Sequence, residues 1–244
     1  MQIGVVVPCF NEAARWNEDY WTTLCAIDGV SWLFVNDGST DLTPQVVDEF
    51  CSSYPNCEVV HLASNSGKSL AVQLGLRRLL QSGGSDVVAF MDADGAFAPQ
   101  EFDRFRQVVE TRLLSEQWDA VWSARVALAG RDIRRTLSRH YLGRVVATFV
   151  SLGGGEIPYD TQSGLKFFRV CDELSDCLAT GFSTRWLFDI ELLSRWSECA
   201  HRPMRIWEEP LMSWTEVGGS RLRGKEVLRV IRELVVIKRQ QMSK

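Results

Sequence analysis

Val87-Val88-Ala89-Phe90-Met91-Asp92-Ala93-Asp94-Gly95 is an apolar run that ends abruptly in two carboxylates and a glycine. A run this short and uniformly apolar reads as a strand buried on both faces, as strands of a parallel sheet are. Ile3 to Val7, Trp32 to Val35, Val59 to Leu62 and Ala120 to Ser123 have the same character. Helical patterns lie between them. Thr43-Pro44 opens a helix to about Tyr54 and Gly67 opens one to about Gln81. Pro99 begins a third that places Phe102, Phe105, Val109 and Leu113 on one face. The alternation β-α-β-α-β predicts an α/β fold with a mostly parallel central sheet flanked by helices. Such sheets bind ligands beyond the carboxyl ends of their strands, so the residues after each run carry the functional reading.

The second half is less regular. A basic stretch from Ile133 to Leu152 is expected to be helical and is followed by Gly153-Gly-Gly155. A strand at Leu165 to Arg169, a helix at Trp186 to Cys199 and a strand at Met204 to Trp207 come next. A final helix from about Lys225 carries Val227, Val230, Ile231, Leu234 and Ile237 on one face.

With 244 residues, 45% hydrophobic and 24% charged, the chain has the size of one globular domain. The start, Met1-Gln-Ile-Gly-Val, reads as a strand rather than a signal peptide, and the chain is expected in the cytoplasm. The uncharged stretch between Arg144 and Glu156 is far shorter than the roughly 20 residues of a membrane span. Seven cysteines without a C-x-x-C pair are expected to be reduced core thiols, with no structural zinc. Net charge is −4, yet residues 125–144 hold six Arg against one Asp, and residues 221–244 hold eight Lys or Arg against two Glu. That asymmetry points to an anionic partner on one side. No nucleic-acid partner is expected.

Two carboxylates one residue apart at a strand end, Asp92 and Asp94, read either as a polar turn or as a pair sharing a hard cation, Mg²⁺ or Mn²⁺. The first strand ends in Pro8-Cys-Phe-Asn11-Glu12 and the second in Asn36-Asp37-Gly38-Ser39-Thr40-Asp41. Carboxylates at three neighbouring strand ends favour a nucleotide site over three separate turns. Asn65-Ser-Gly67-Lys68 opens a helix, with backbone N–H groups and Lys68 expected to face an anion. It is not a Walker loop, and no G-x-G-x-x-G follows the first strand, which excludes the usual dinucleotide oxidoreductase pattern.

Pro8-x-x-Asn11-Glu12, Val35-Asn-Asp-Gly-Ser-Thr-Asp41, Asn65-x-Gly-Lys68, Asp92-Ala-Asp94, Asp160-Thr-Gln-Ser-Gly-Leu-Lys166, Phe188-Asp-Ile-Glu191 and Glu209-Pro210 with Trp214 stand in the order seen in family 2 glycosyltransferases. Through nearly its whole length the chain resembles this family, closest to the polyprenyl-phosphate sugar transferases, which include dolichyl-phosphate glucosyltransferase and dolichol-phosphate mannose synthase. The resemblance implies a GT-A fold, Rossmann-like, formed as a single domain over residues 1–244. Residues 1–125 would bind the nucleotide-diphospho-sugar donor. Residues 126–244, with the amphipathic C-terminal helix, would bind the acceptor.

It further implies that Pro8, Asn11, Glu12 and Asp37 line the base and ribose with Lys68 nearby. Asp92, Ala93 and Asp94 would form the metal motif, Asp92 and Asp94 as ligands. One departure is plain: where some relatives place a Gln ligand, this chain has Ala96. Arg125, in Ser123-Ala-Arg125, and Arg134 with Ser138 fall where relatives bind the acceptor phosphate, a role suited to guanidinium forks; a solvated basic helix is the other reading.

A lipid phosphate is already ionised and needs no general base, whereas a hydroxyl acceptor does, and Asp160 or Asp189 would then supply it. Asp189 and Glu191 could equally be helix-start charges. His61, alone at the end of an apolar strand, reads as a packed, hydrogen-bonded residue rather than a ligand. The final helix reads as domain packing or as a contact with an anionic membrane surface or a membrane protein partner. The function expected is inverting, metal-dependent transfer of a hexose, from UDP-glucose, to polyprenyl phosphate. A soluble transferase acting on a saccharide hydroxyl and a non-catalytic nucleotide-binding scaffold are the alternatives.

Overall fold

The computed structural model describes residues 1–114, 117–134, 158–217, 232–234 and 237. Nine strands, six α-helices and a short 3-10 helix, Ala13–Arg15, are defined among them. The strands are β1 Ile3–Cys9, β2 Val30–Asn36, β3 Cys57–His61, β4 Val87–Met91, β5 Ala120–Ala124, β6 Asp132–Arg134, β7 Leu165–Arg169, β8 Ile206–Pro210 and β9 Ser213–Thr215. The helices are α1 Glu18–Cys25, α2 Thr43–Ser53, α3 Lys68–Ser82, α4 Pro99–Leu113, α5 Asp172–Leu178 and α6 Phe188–Cys199.

Seven strands form one sheet in the order β3-β2-β1-β4-β7-β5-β8. Every neighbouring pair is parallel except those of β7, which runs antiparallel between β4 and β5. The mostly parallel sheet is therefore as expected, and it encloses two apolar layers. One face packs α1, α2 and α4 through Trp21, Val47, Phe102 and Phe105; the other packs α3, α5 and α6 through Leu76, Leu174, Leu178 and Trp196. Burial on both faces explains why the strand sequences are continuously apolar rather than alternating. Gly75 lets α3 close on the sheet, since a Cβ there would lie 2.4 Å from Val6 Cγ1.

Local chemistry sets the helix starts. Pro44 and Pro99 stand in the first turns of α2 and α4, where a missing N–H costs nothing. The Asn17 side chain caps α1 by accepting the N–H of Tyr20 at 3.0 Å.

One expectation is corrected. Ile133 and Arg134 begin no helix: Asp132–Arg134 is a strand paired in parallel with Ser213–Thr215, forming a separate two-stranded sheet. Leu128 and Ile133 do not repeat on a helical stripe, and Ile133 instead lies opposite Trp214, which covers it. The remainder of that stretch, and most of the predicted C-terminal helix, lie outside the described residues.

All seven cysteines are free thiols; Cys199 is exposed rather than in the core, and the Cys25 and Cys57 sulfurs lie 3.2 Å apart. No helix among the described residues is long and apolar enough to cross a membrane.

The candidate active site

β1 lies between β2 and β4, whose connections leave it on opposite sides, so a crevice opens beyond the carboxyl end of β1. Pro8 sits in β1 opposite Val35 of β2. Beyond it, Asn11 takes a positive φ of 55°. Its side-chain oxygen accepts the N–H of Thr40 at 2.9 Å, and its own N–H reaches Ser39 Oγ at 3.0 Å, so the two strand-end loops are stitched together. The Glu12 N–H is held by Thr43 Oγ1 at 2.7 Å. One carboxylate oxygen of Glu12 pairs with Arg15 at 2.6 Å, while Oε2 is buried with no protein partner. His61 bridges Asn36 and Asp48, at 3.0 and 2.9 Å, so it is hydrogen-bonded as expected, but it is exposed rather than packed.

The turn after β3 differs from expectation. The N–H groups of Ser66 and Gly67 were expected to face a ligand, but they donate to Asp37 at 2.7 and 2.8 Å, and Asn65 Nδ2 joins them at 3.1 Å. Asp37, nearly fully buried, thus spends its carboxylate organising this turn. Burial requires such partners, because a desolvated charge without them is costly. Gly38 is what allows the approach: a Cβ there would meet the Ser64 backbone at 2.4 Å.

Lys68, which follows the turn, reaches across to Asp92 Oδ1 at 2.5 Å. Burial by itself would lower the Lys68 pKa, but the facing carboxylates of Asp92, Asp189 and Asp94 outweigh it and hold the ammonium charged. Asp92 leaves β4 with its N–H on the Gly164 carbonyl at 2.9 Å, and Asp94 accepts the Ala96 N–H at 3.1 Å. Ala93, between them, packs partly buried on the core. The Asp94 carboxyl is pushed up by burial and by the neighbouring Asp92 charge. Burial likewise raises Glu12, with Asp94 and Asp92 adding to the shift against Arg15. The Tyr20 hydroxyl, buried without a partner, is raised by burial and by the same two carboxylates.

Such a set, all oxygen, negatively charged and under-compensated by Lys68, fits a hard divalent cation. Among the described residues no cluster of three or more His, Cys, Asp or Glu is arranged to hold a metal. Ala96 is buried and has no donor side chain to add.

Gly164 shapes this corner. A Cβ at that position would lie 2.1 Å from Asp92 Oδ2. Gly164→Ala should therefore displace the Asp92 carboxylate and lower turnover about 100-fold, the scale of an ångström misplacement at a reacting centre, while a cooperative thermal melt persists. Wild-type turnover in that variant would show that the Asp92 position is unimportant.

Beside it, Asp160 accepts Arg125 Nε and Nη2, both at 2.7 Å, and the Arg125 backbone N–H at 3.0 Å. Burial opposes the Arg125 charge, but Asp160 more than restores it. The Arg125 guanidinium also lies 5.1 Å from the Trp214 ring centroid. Glu208 holds the whole turn by accepting the N–H groups of Tyr159 and Asp160 at 2.7 and 3.0 Å.

Asp189, buried at the start of α6, pairs with Lys166, whose ammonium is fully buried and also donates to the Thr161 carbonyl at 2.8 Å. Gln162 Nε2 lies 3.4 Å from the other Asp189 oxygen. Glu191 accepts the N–H groups of Ser183 and Thr184 and pairs with Arg195 at 2.6 Å, a loop-holding role. Arg134 is exposed and donates to Asp132 at 3.0 Å. Ser138 lies outside the described residues.

The structure thus brings Glu12, Lys68, Asp92, Asp94, Arg125, Asp160 and Asp189 to one edge of the sheet. Sequence reasoning missed Glu208, Tyr20 and the buried role of Lys166. Alternation along β8 was the available signal: neighbours point to opposite faces, so Glu209 pairs with Arg104 at 2.6 Å while Glu208 reaches the Asp160 turn.

Comparison with known proteins gives a family match for part of this edge. The model for glycosyl transferase family 2 matches residues 4–113, from β1 through α4. A dolichyl-phosphate beta-glucosyltransferase of Trichomonas vaginalis is 27% identical over 249 residues, covering 95% of this chain and 69% of that protein. Among solved structures, a mannosyltransferase of Pyrobaculum calidifontis, in complex with GDP-Man and Mn²⁺, superposes with a TM-score of 0.62 at 17% identity. The match covers all of this chain but 64% of that one, so the chain spans slightly less than two thirds of its length. Glucosyl-3-phosphoglycerate synthase of Mycobacterium tuberculosis, with Mn²⁺, UDP and phosphoglyceric acid, gives 0.67 at 19% identity, over 97% of this chain and 78% of the other. At such identities the two structures speak for the fold alone, and the fold is GT-A. The matched residues carry the Asp37 turn, Lys68 and the Asp92-Ala-Asp94 corner, and a dolichyl-phosphate glucosyltransferase aligns over nearly the whole chain, so the likenesses of this chain are to glycosyltransferases and, over residues 4–113, to glycosyl transferase family 2.

Proposed function

We propose that the chain transfers a hexose, glucose from UDP-glucose, to a polyprenyl phosphate with inversion at the anomeric carbon. The observation that carries the acceptor is the state of the two candidate bases: Asp160 has both oxygens on Arg125, and Asp189 is buried against Lys166. A hydroxyl acceptor would need one of them free to take a proton, whereas a phosphate monoester oxygen attacks as it stands. The dolichyl-phosphate relative supports the same acceptor and sugar. In the reaction a bond forms between phosphate oxygen and anomeric carbon as the bond to the outer phosphate of UDP breaks, and UDP leaves.

Asp92 and Asp94 would hold Mg²⁺ or Mn²⁺ against the diphosphate. Such an ion supplies Lewis-acid neutralisation of the charge gathering on the leaving group. Lys68 balances Asp92 and presents a cation to the same diphosphate. Pro8, Asn11 and Glu12 form the wall facing the nucleoside, and Asp37 acts on it through the 65–67 turn. Arg125, fixed by Asp160 and Glu208, presents its guanidinium beside the acceptor phosphate, with Arg134 and Ser138 further along the same segment. Residues 1–125 would then be the donor half and residues 126–244 the acceptor half of one domain. The basic segments would meet the inner face of a membrane or a membrane protein partner.

The test offers UDP-glucose, UDP-galactose and GDP-mannose, each with Mg²⁺ or Mn²⁺, with and without a short polyprenyl phosphate. Glucosyl-phospho-polyprenol from UDP-glucose is expected. Transfer from any donor to a saccharide hydroxyl, with none to the phosphate, would overturn this reading.

A further inference from the structure

Glu233, far from the site motifs in sequence, makes an unusual set of contacts. Its carboxylate accepts three consecutive backbone N–H groups: Arg185 at 3.2 Å on Oε1, and Trp186 and Leu187 at 3.1 and 3.2 Å on Oε2. Ile237, one turn further on, is buried with Leu187 and Ile190, and Leu234 packs on the same cluster. Glu233, Leu234 and Ile237 therefore grip the turn that leads into α6.

That turn in turn grips the donor side. Arg185 Nη2 donates to Asn65 Oδ1 at 2.5 Å and to the Asn65 carbonyl at 3.3 Å, and the Arg185 carbonyl accepts the Ser69 N–H at 3.0 Å. Gly67, at φ +100°, packs so closely that a Cβ there would lie 3.0–3.2 Å from Arg185. Residues 65–67 are the ones that surround Asp37, and Lys68 next to them holds Asp92. Backbone and charge contacts thus run without a break from Glu233 to the Asp92 corner.

We infer that Glu233 is a positioning residue for the nucleotide end of the site, acting through Arg185 on the Asn65–Lys68 turn. The inference rests on the reading that the donor diphosphate sits at that turn. A carboxylate that binds three N–H groups fixes the turn more tightly than solvent can, because each bond is charge-assisted and the one to Leu187 is partly shielded from water. Losing it lets Arg185, and with it Asn65 and Gly67, relax away from the geometry that presents Lys68.

The test measures binding of UDP and of GDP, each with Mn²⁺, by titration calorimetry, alongside thermal melts. The variants are Glu233→Ala, Glu233→Gln, Arg185→Ala and the double variant. Val109→Ala, a core truncation in α4 on the opposite face of the sheet, supplies a destabilised reference. Support of the kind Glu233 gives is worth about tenfold in affinity. Glu233→Ala and Arg185→Ala should each weaken the tighter-binding nucleotide about tenfold, the double variant no more than either, and Glu233→Gln, which keeps one acceptor oxygen, by less. Val109→Ala should lower the melting temperature with Kd unchanged. An unchanged Kd in Glu233→Ala, or a double variant whose losses multiply, overturns the coupling while leaving the donor site standing. If the wild-type protein binds neither nucleotide, the donor reading falls and this inference with it.

Discussion

Asp94→Asn should lower sugar transfer by about 10³-fold without weakening the fold, because the charge it removes serves the reaction and not the packing. Its carboxylate accepts one backbone N–H, from Ala96, and otherwise faces burial and the Asp92 charge, both of which disfavour ionisation. Asn keeps the acceptor and deletes the buried charge, so the melting temperature should hold or rise, the pattern expected where a site is maintained against stability. Asp92→Asn should cost a similar factor in rate, but it also leaves Lys68, 2.5 Å away, without its counter-charge and should be no more stable than wild type. The two variants therefore separate on stability while agreeing on turnover. Initial rates across a Mn²⁺ titration, with melts of both variants, check this. Asp94→Asn retaining a tenth or more of the activity would remove the metal reading of the pair.

What the sequence made legible was the sheet and its functional edge. Strands β1, β2 and β4 are buried on both faces, so their apolar runs are unbroken, and the polar residues after them necessarily fall at one end. The short elements were not legible. α5 has seven residues, too few to show a period, and β6 and β9 have three each, paired across about eighty residues of chain. α1 did carry a signal in Asn17, Glu18 and Asp19, a cap followed by first-turn acids, but at eight residues its apolar stripe is only Trp21, Leu24 and Cys25, a single turn.

At the site, motif residues could be named but their partners could not. Asp160 meets Arg125, and Asp189 meets Lys166, only because β7 is inserted antiparallel between β4 and β5, and nothing local encodes that insertion. The same reason hid the Asp37 turn. Its N–H groups looked available for a ligand until the neighbouring strand end brought a carboxylate to them.

Lys166→Met should be the most destabilising single change at the site, costing about 3–5 kcal/mol at neutral pH, since it leaves the buried Asp189 charge without its counter-ion. For a chain of this size each kcal/mol moves the melting temperature by roughly 2–4 °C, so a drop of about 10 °C is expected. In the wild-type protein the Lys166 ammonium is fully buried against Asp189 and lies 4.5 Å from the Trp122 ring centroid and 5.2 Å from that of Phe90. Burial lowers the Lys166 pKa and raises that of Asp189, each shift opposed by the partner's charge. Without Lys166 the Asp189 carboxyl rises further. A carboxyl whose folded pKa lies above its unfolded value of about 3.9 binds its proton more tightly in the folded state. Its destabilising effect is absent below the unfolded pKa and grows as pH rises towards the folded one. Urea melts should therefore show the Lys166→Met deficit shrinking from pH 7 to pH 4. Lys166→Met with Asp189→Asn should recover much of the loss, because no unpaired charge then remains. A deficit equal at both pH values, or strictly additive losses, would refute the pairing argument. The double variant also judges Asp189 as a base: if it transfers sugar to polyprenyl phosphate within about tenfold of wild type, Asp189 takes no proton in the reaction, whereas a general base would contribute 10²-fold or more, on the order of its usual share of catalysis.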